Sequence, residues 1–168
     1  TIELSPGSKL AGIVTDPNGQ PIQGADVAIF GLTHFLCRQY PAGLLQSLFF
    51  AVTDAEGLFD IDGLDPVVDS YQVLVDHPAY PAVSISLPPA PAGQTLYQDI
   101  VLKPGVVVFG QVTNSQGIPI SGVTVGNTRS GAMWNNIEAE TDEEGMYQLG
   151  IVEVGELVLW ATHSQYAP

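Results

Sequence analysis

Three histidines, one cysteine and 18 acidic side chains are the groups in this chain best suited to acid–base, nucleophilic or metal chemistry. His34 and Cys37 stand three residues apart and could open a metal site, but two further ligands at suitable spacing are missing. Cys37 has no Cys-x-x-Cys partner, and no G-x-S-x-G elbow exists. His77 and His163 occupy the same place in two similar segments, just before Tyr80 and Tyr166, which reads as structural. Asp60, Asp62 and Asp65 crowd into "FDIDGLD", and Asp54 and Glu56 sit in the turn before them. Calcium takes about six to eight oxygens, and such a loop can gather a few. The EF-hand spacing is absent, however, and the parallel "TDEEG" (141–145) has no acids downstream. These residues therefore predict no catalytic, cofactor or metal site. Calcium is the one ion kept in view, and solvated turns with hydrogen-bonded Asp side chains are the preferred reading.

The elements that would hold these groups follow from composition and pattern. The formal charge is −14, from 4 basic and 18 acidic side chains, which repels phosphate and excludes nucleic acid as a partner. An anionic membrane surface is disfavoured for the same reason. The most apolar run, 30–52, is broken by His34, Arg38, Gln39, Pro41 and Gln46, so no membrane insertion is expected. One cysteine excludes an internal disulfide. The absence of an initiator Met and of a signal peptide suggests a processed mature form or an excised fragment.

The chain repeats itself. "GIVTDPNGQPIQGADVAI" (12–29) matches "GQVTNSQGIPISGVTVGN" (110–127) at an offset of 98 residues. "TDAEGLFDI" (53–61) matches "TDEEGMYQL" (141–149) at 88, and "LVDHPAY" (74–80) matches "WATHSQY" (160–166) at 86. Ordered blocks at shrinking offsets predict a duplication whose first copy carries an insertion. The blocks read as short strands: "AGIVT", "ADVAIF", "LFDID" and "YQVLVD" in the first copy, "MYQLG" and "LVLWAT" in the second. Turns fall between them, with Gly19, Gly57 and Gly145 placed for positive φ. Only "PAGLLQSLFF" (41–50) suggests a single helical turn.

The frame G-x-V-x-D-x-x-G-x-P-I-x-G-A-x-V, then T-D-x-x-G-x-F/Y, then a strand running to Tyr80 or Tyr166, resembles the carboxypeptidase regulatory-like domain. Asn114 stands at the Asp16 position in the second copy. The resemblance implies an all-β fold of two tandem prealbumin-like (Ig-like) β-sandwich domains. It also implies a non-catalytic role in a secreted or cell-surface protein. A Lys–Asn or Lys–Asp isopeptide crosslink, made by a relative of this fold, is not expected. The position its lysine would take holds Ala11 in one copy and Phe109 in the other. The terminal signature of transthyretin-related hydrolases is missing as well.

The predicted domains span 6–104 and 105–168, joined by a short linker that Pro104 stiffens, with residues 1–5 set apart. The insertion within 30–52 is rich in large apolar side chains. Phe35, Leu36, Tyr40, Leu44, Leu45, Leu48 and Phe49 are candidates for an apolar contact surface. Trp134 and Tyr40 are the candidate platforms for a glycan.

The repeat is also out of phase. "TIELSPG" (1–7) matches "DIVLKPG" (99–105), so Thr1, Ile2, Glu3 and Leu4 copy a strand that closes the first domain. The second copy stops before both of the last two strands that "AYPAVSISL" (79–87) and "LYQDIVL" (96–102) supply in the first. Two expectations follow: a segment of a longer tandem array, or a subunit whose residues 1–4 close the second domain of another copy by strand donation. Either predicts a structural protein whose partners are copies of itself or adjacent repeats. Adhesion or carbohydrate binding is the alternative.

Overall fold

The computed structural model describes residues 6–32, 49–127 and 137–166. Every regular element among them is a β-strand. The chain divides into two compact units, one of Thr1–His77 with Ala82–Lys103, the other of Pro78–Pro81 with Pro104–Pro168.

Unit one contains β1 (Ser8–Thr15), β2 (Asp26–Leu32), β3 (Phe49–Val52), β4 (Leu58–Leu64), β5 (Ser70–His77), all of β6 (Tyr80–Leu87) but its first two residues, β7 (Thr95–Tyr97) and β8 (Ile100–Val101). One sheet runs β4-β1-β7, with β8 also paired to β1; the other runs β3-β2-β5-β6. Alternation decides which side chains go inside. In β5, Tyr71, Val73 and Val75 are buried; in β2, Val27 and Ile29; in β1, Leu10 and Val14; in β4, Phe59, Ile61 and Leu64. Burying each such side chain stabilises the fold by roughly 1.5–3 kcal/mol. Tyr71 keeps its one polar atom satisfied by donating from its hydroxyl to the Asp65 carbonyl, at 2.5 Å.

Unit two contains β9 (Val106–Gln111), β10 (Thr124–Asn127), β11 (Glu138–Glu140), β12 (Met146–Val152) and β13 (Leu159–Thr162). Its sheets run β11-β10-β13 and β12-β9. By the sequence offsets these five strands correspond to β2, β3, β4, β5 and β1 of unit one in the order β10, β11, β12, β13 and β9. Val123, Val125, Leu149 and Val152 form its buried centre.

The repeated residues make repeated bonds. Thr53 Oγ1 donates to the Ile22 carbonyl at 2.7 Å and accepts from the Ala25 amide at 2.8 Å. Thr141 Oγ1 does the same with Ile120 and Val123, at 2.8 and 2.9 Å. Asp54 Oδ1 accepts the amides of Glu56 and Leu58, and Asp142 Oδ1 those of Glu144 and Met146, at the same 3.0 and 2.8 Å. Gly57 has φ of 73° and Gly145 of 70°. A Cβ on Gly57 would lie 2.5 Å from the Val14 carbonyl oxygen, and one on Gly145 2.6 Å from that of Val112. The T-D-x-E-G motif is thus a hydrogen-bonded clasp between two strand pairs.

Two sequence expectations meet the structure here. Phe49 and Phe50 belong to β3, not to a helical turn, and the rest of the proposed turn lies outside the described residues. The strand read as "LVLWAT" is regular only from Leu159.

Thr53→Val and Thr141→Val each leave a buried amide without its acceptor. Each is expected to cost about 1–3 kcal/mol in chemical denaturation; wild-type stability in both would show that the clasp contributes nothing. A second expectation concerns acid. Asp16 Oδ1 accepts the amides of Gln20 and Asn18, both at 2.8 Å. The Gln20 amide foremost, then the Asn18 side chain and amide, hold its carboxyl below the ordinary carboxylate range. A lowered folded-state pKa stabilises above the unfolded value, about 3.9, and that stabilisation is lost as pH falls through the folded value. Asn114 makes the same turn with the amides of Gln116 and Ile118 and does not titrate. Acid titration followed by amide NMR should therefore loosen 16–20 while leaving 114–118 intact, and Asp16→Asn should abolish the difference. Simultaneous loosening of both turns would contradict this origin.

Candidate functional site

The two copies of the first strand differ in what lies beside them. In unit one, β1 is paired on both edges. β4 runs antiparallel along one, from Ser8 opposite Leu64 to Ile13 opposite Leu58. Along the other, β7 and β8 run parallel: Lys9 faces Thr95, Ala11 faces Tyr97, Val14 faces Ile100 and Thr15 faces Val101. Backbone bonds fix this second edge. Lys9 N donates to Gln94 O, Gln98 N to Ala11 O and Leu102 N to Thr15 O, each at 2.9 Å. Between β7 and β8, Ile13 N donates to Asp99 Oδ1 at 3.3 Å. Gly12 permits the crossing, since a Cβ there would lie 1.9 Å from Gln98 O. The closing segment buries Ile100 and Leu102, which are 2 % and 0 % exposed.

In unit two, β9 pairs with β12 along one edge, from Met146 opposite Gln111 to Val152 opposite Val106. Among the described residues no strand lies along its other edge. The effect reaches the core. Leu10, Val14 and Ile22 are buried, whereas their counterparts Val108, Val112 and Ile120 are only half-buried. Val73 in β5 is 0 % exposed and its counterpart Leu159 in β13 is 39 % exposed. Val106, Val107, Phe109 and Val158 are exposed as well. The motif is the same in both units; among the described residues unit two has no counterpart of β7 or β8 beside β9, nor of β6 beside β13.

Unit one also carries a shallow groove of about 700 Å³ on the outer face of β4-β1-β7, lined by Ala11, Ile13, Val52, Leu58, Asp60 and Tyr97. Tyr97 is 81 % exposed and Phe50, near the rim on β3, is 71 % exposed. Lys9 lies on the same face, paired with Asp60 and, at 3.6 Å, with Asp62. The hydrogen bond to Asp60 holds the Lys9 ammonium above its ordinary pKa.

Thr1, Ile2, Glu3, Leu4, His34, Phe35, Leu36, Cys37, Tyr40, Leu44, Leu45, Leu48 and Trp134 lie outside the described residues. Phe49 is half-buried on β3, and its neighbour Phe50 points outward. The acids of the suggested calcium cluster are divided among other tasks. Asp54 closes its turn, Asp65 Oδ1 accepts the Val67 amide at 2.9 Å, and Asp60 and Asp62 pair with Lys9. No group of three or more potential metal ligands occurs among the described residues. His163 Nδ1 accepts the Gln165 amide at 3.1 Å, and its ring lies 5.2 Å from that of Tyr166, which is a turn-forming role. The groove escaped sequence reasoning because its residues come from strands far apart in the chain. The only hint was Phe109, a large residue at the Ala11 position.

Comparison with known proteins bears on family and not on activity. No curated protein sequence matches the chain. A streptococcal ancillary pilin shares 14 % identity over 94 % of this chain and 54 % of its own, with a TM-score of 0.44. A hydroxyquinol 1,2-dioxygenase from Pseudomonas putida shares 13 % identity over 61 % of this chain and 58 % of its own, with a TM-score of 0.45. A catechol 1,2-dioxygenase from Pseudomonas arvilla shares 14 % over 62 % and 54 %, also at 0.45. The chain spans little more than half the length of these structures, and at such TM-scores none of them bears on its role. The model of the carboxypeptidase regulatory-like domain matches residues 9–103, from the start of β1 to just past β8 and over more than half of the chain. This chain belongs to the carboxypeptidase regulatory-like domain family.

Proposed function

We propose that this chain is a non-catalytic extracellular structural protein, a subunit or segment of a head-to-tail array held together by β-strand complementation. Its two units act as tandem prealbumin-like, Ig-like sandwiches, the second of which is completed by a strand from outside it. The observation that carries this reading is that, among the described residues, no strand lies along the second edge of β9, beside a half-exposed core, in a unit whose counterpart is closed by β7 and β8. A strand edge with apolar side chains next to it is a template for pairing. Residues 1–4 repeat the I-x-L pattern of the segment that closes unit one. Burying two such side chains contributes roughly 3–6 kcal/mol before the cost of ordering. A contact of this kind is heterologous, so it propagates unless its rotation closes a ring. Asp54, Asp142, Asp60 and His163 support a non-catalytic role, because they are engaged in turns and an ion pair.

The groove on unit one favours adhesion as a second reading. Exposed Tyr97 offers a stacking face and Asp60 an acceptor, the elements of a sugar site. Glycan-array hits that vanish in Tyr97→Ala would favour it over the structural role.

Removal of residues 1–7, or Ile2→Asp with Leu4→Asp, is expected to shorten assemblies seen by electron microscopy and to lower the stability of unit two selectively. If the altered protein assembles like the parent, strand complementation through this segment is wrong.

A further inference from the structure

We infer that the groove on unit one is a seat for a basic sugar: a hexosamine ring with a free ammonium, stacked on Tyr97 and held by the carboxylates of Asp60 and Asp99. This rests on the adhesion reading and names its ligand class. The slot follows from register. Ala11, on β1, is paired with Asp60 on β4 and with Tyr97 on β7. Neighbouring strands lie about 4.8 Å apart, so an aromatic wall and an acidic wall stand roughly 10 Å from each other across a single methyl group. Ala11, Gly12 and Ile13 form the floor, and Val52 and Leu58 extend it. The ring of Tyr97 is exposed. At the places of Ala11 and Asp60, unit two has Phe109 and Gln148, a bulky side chain and an uncharged one. The slot therefore belongs to unit one and not to the repeat.

Two constraints choose the class. The first is charge. Asp54, Asp60 and Asp99 line the groove, and no Lys, Arg or His does. Lys9 pairs with Asp60 and Asp62. Asp54 and Asp99 accept backbone amides through Oδ1, and neither meets a cation at ion-pair distance among the described residues. An acidic sugar is repelled here, and a protonated amine is attracted, beside a ring face that itself favours cations. The second constraint is hydrogen bonding. An ionised carboxylate only accepts, so the ligand must bring the donors. β1 is paired on both edges, so its backbone offers no ladder to the main chain of a peptide. A pyranose ring brings hydroxyl donors and a flat C–H face for the tyrosine, and an amino group supplies the charge.

The test titrates the full chain with tetramers of β-1,4-linked glucosamine, of its N-acetylated form, of galacturonic acid and of arginine, followed by calorimetry and by the amide shifts of 9–13 and 95–99. The glucosamine tetramer is expected to bind at least about tenfold more tightly than the N-acetylated and acidic ones, with its shifts at Ala11 and Tyr97. Tyr97→Ala and Ala11→Phe both leave the net charge unchanged. The first truncates an exposed side chain, and the second installs the residue that unit two carries at that place. Each is expected to weaken glucosamine binding at least about tenfold. Equal binding of the N-acetylated tetramer, lost in Tyr97→Ala, would keep adhesion and overturn the basic class. Tighter binding of tetra-arginine, lost in the same variants, would overturn the sugar in favour of a basic peptide. Glucosamine binding that survives both variants would be attraction to the net charge of −14 alone and would overturn the groove as its seat. Binding of no tetramer, alongside glycan-array hits lost in Tyr97→Ala, would overturn the basic class alone; without such hits the adhesion reading falls with it.

Discussion

A buried strand must have its backbone groups paired on both edges, and the rest of this molecule depends on where that condition is met. An amide or carbonyl left without a partner inside a protein costs about as much as a hydrogen bond contributes. β1 meets the condition with β4 on one side and β7 and β8 on the other. Leu10 and Val14, between two paired edges, are fully buried. β9 has the same frame and, among the described residues, one paired edge, and the counterparts of those residues are half-exposed. Completeness of the core is set by neighbouring strands and not by the repeat itself.

The repeat supplies something else, a local frame that forms whether or not the core is closed. The amide of Val14 donates to Gly57 O at 2.8 Å, and that of Val112 to Gly145 O at 2.9 Å. The Thr and Asp bonds of the two clasps agree as closely. Each clasp joins the strand before a turn to the one after it through buried hydroxyls and a left-handed glycine. Unit two thus keeps the same turn geometry as unit one although fewer strands flank it among the described residues. The strong negative charge, −14, opposes indiscriminate pairing of strand edges.

Much of this was legible in the sequence because period and turn chemistry are local. The alternation in "YQVLVD" predicted β5, and the Asp-x-x-Gly turns predicted the clasp positions. The I-x-L pattern of residues 1–4 repeats that of the segment closing unit one, and these residues lie outside the described ones. Phe49 misled, since an i, i+4 apolar pattern and a strand start look alike over so short a run. The parallel direction of β8 was not legible, because nothing local distinguishes a strand that returns alongside β1 from one that hairpins onto it. The groove was invisible for a related reason. Ala11, Val52 and Tyr97 become neighbours only when three strands from separate stretches are set side by side.

The most direct measurement is hydrogen–deuterium exchange of residues 111–113 as a function of protein concentration, with 13–15 as the internal reference. β1 carries its closing strand within the chain, so its protection should not change with concentration. Strand donation between copies predicts that protection of 111–113 rises with concentration towards that of 13–15. Protection of 111–113 that stays low, or is already high and does not vary, would contradict completion of unit two by another copy.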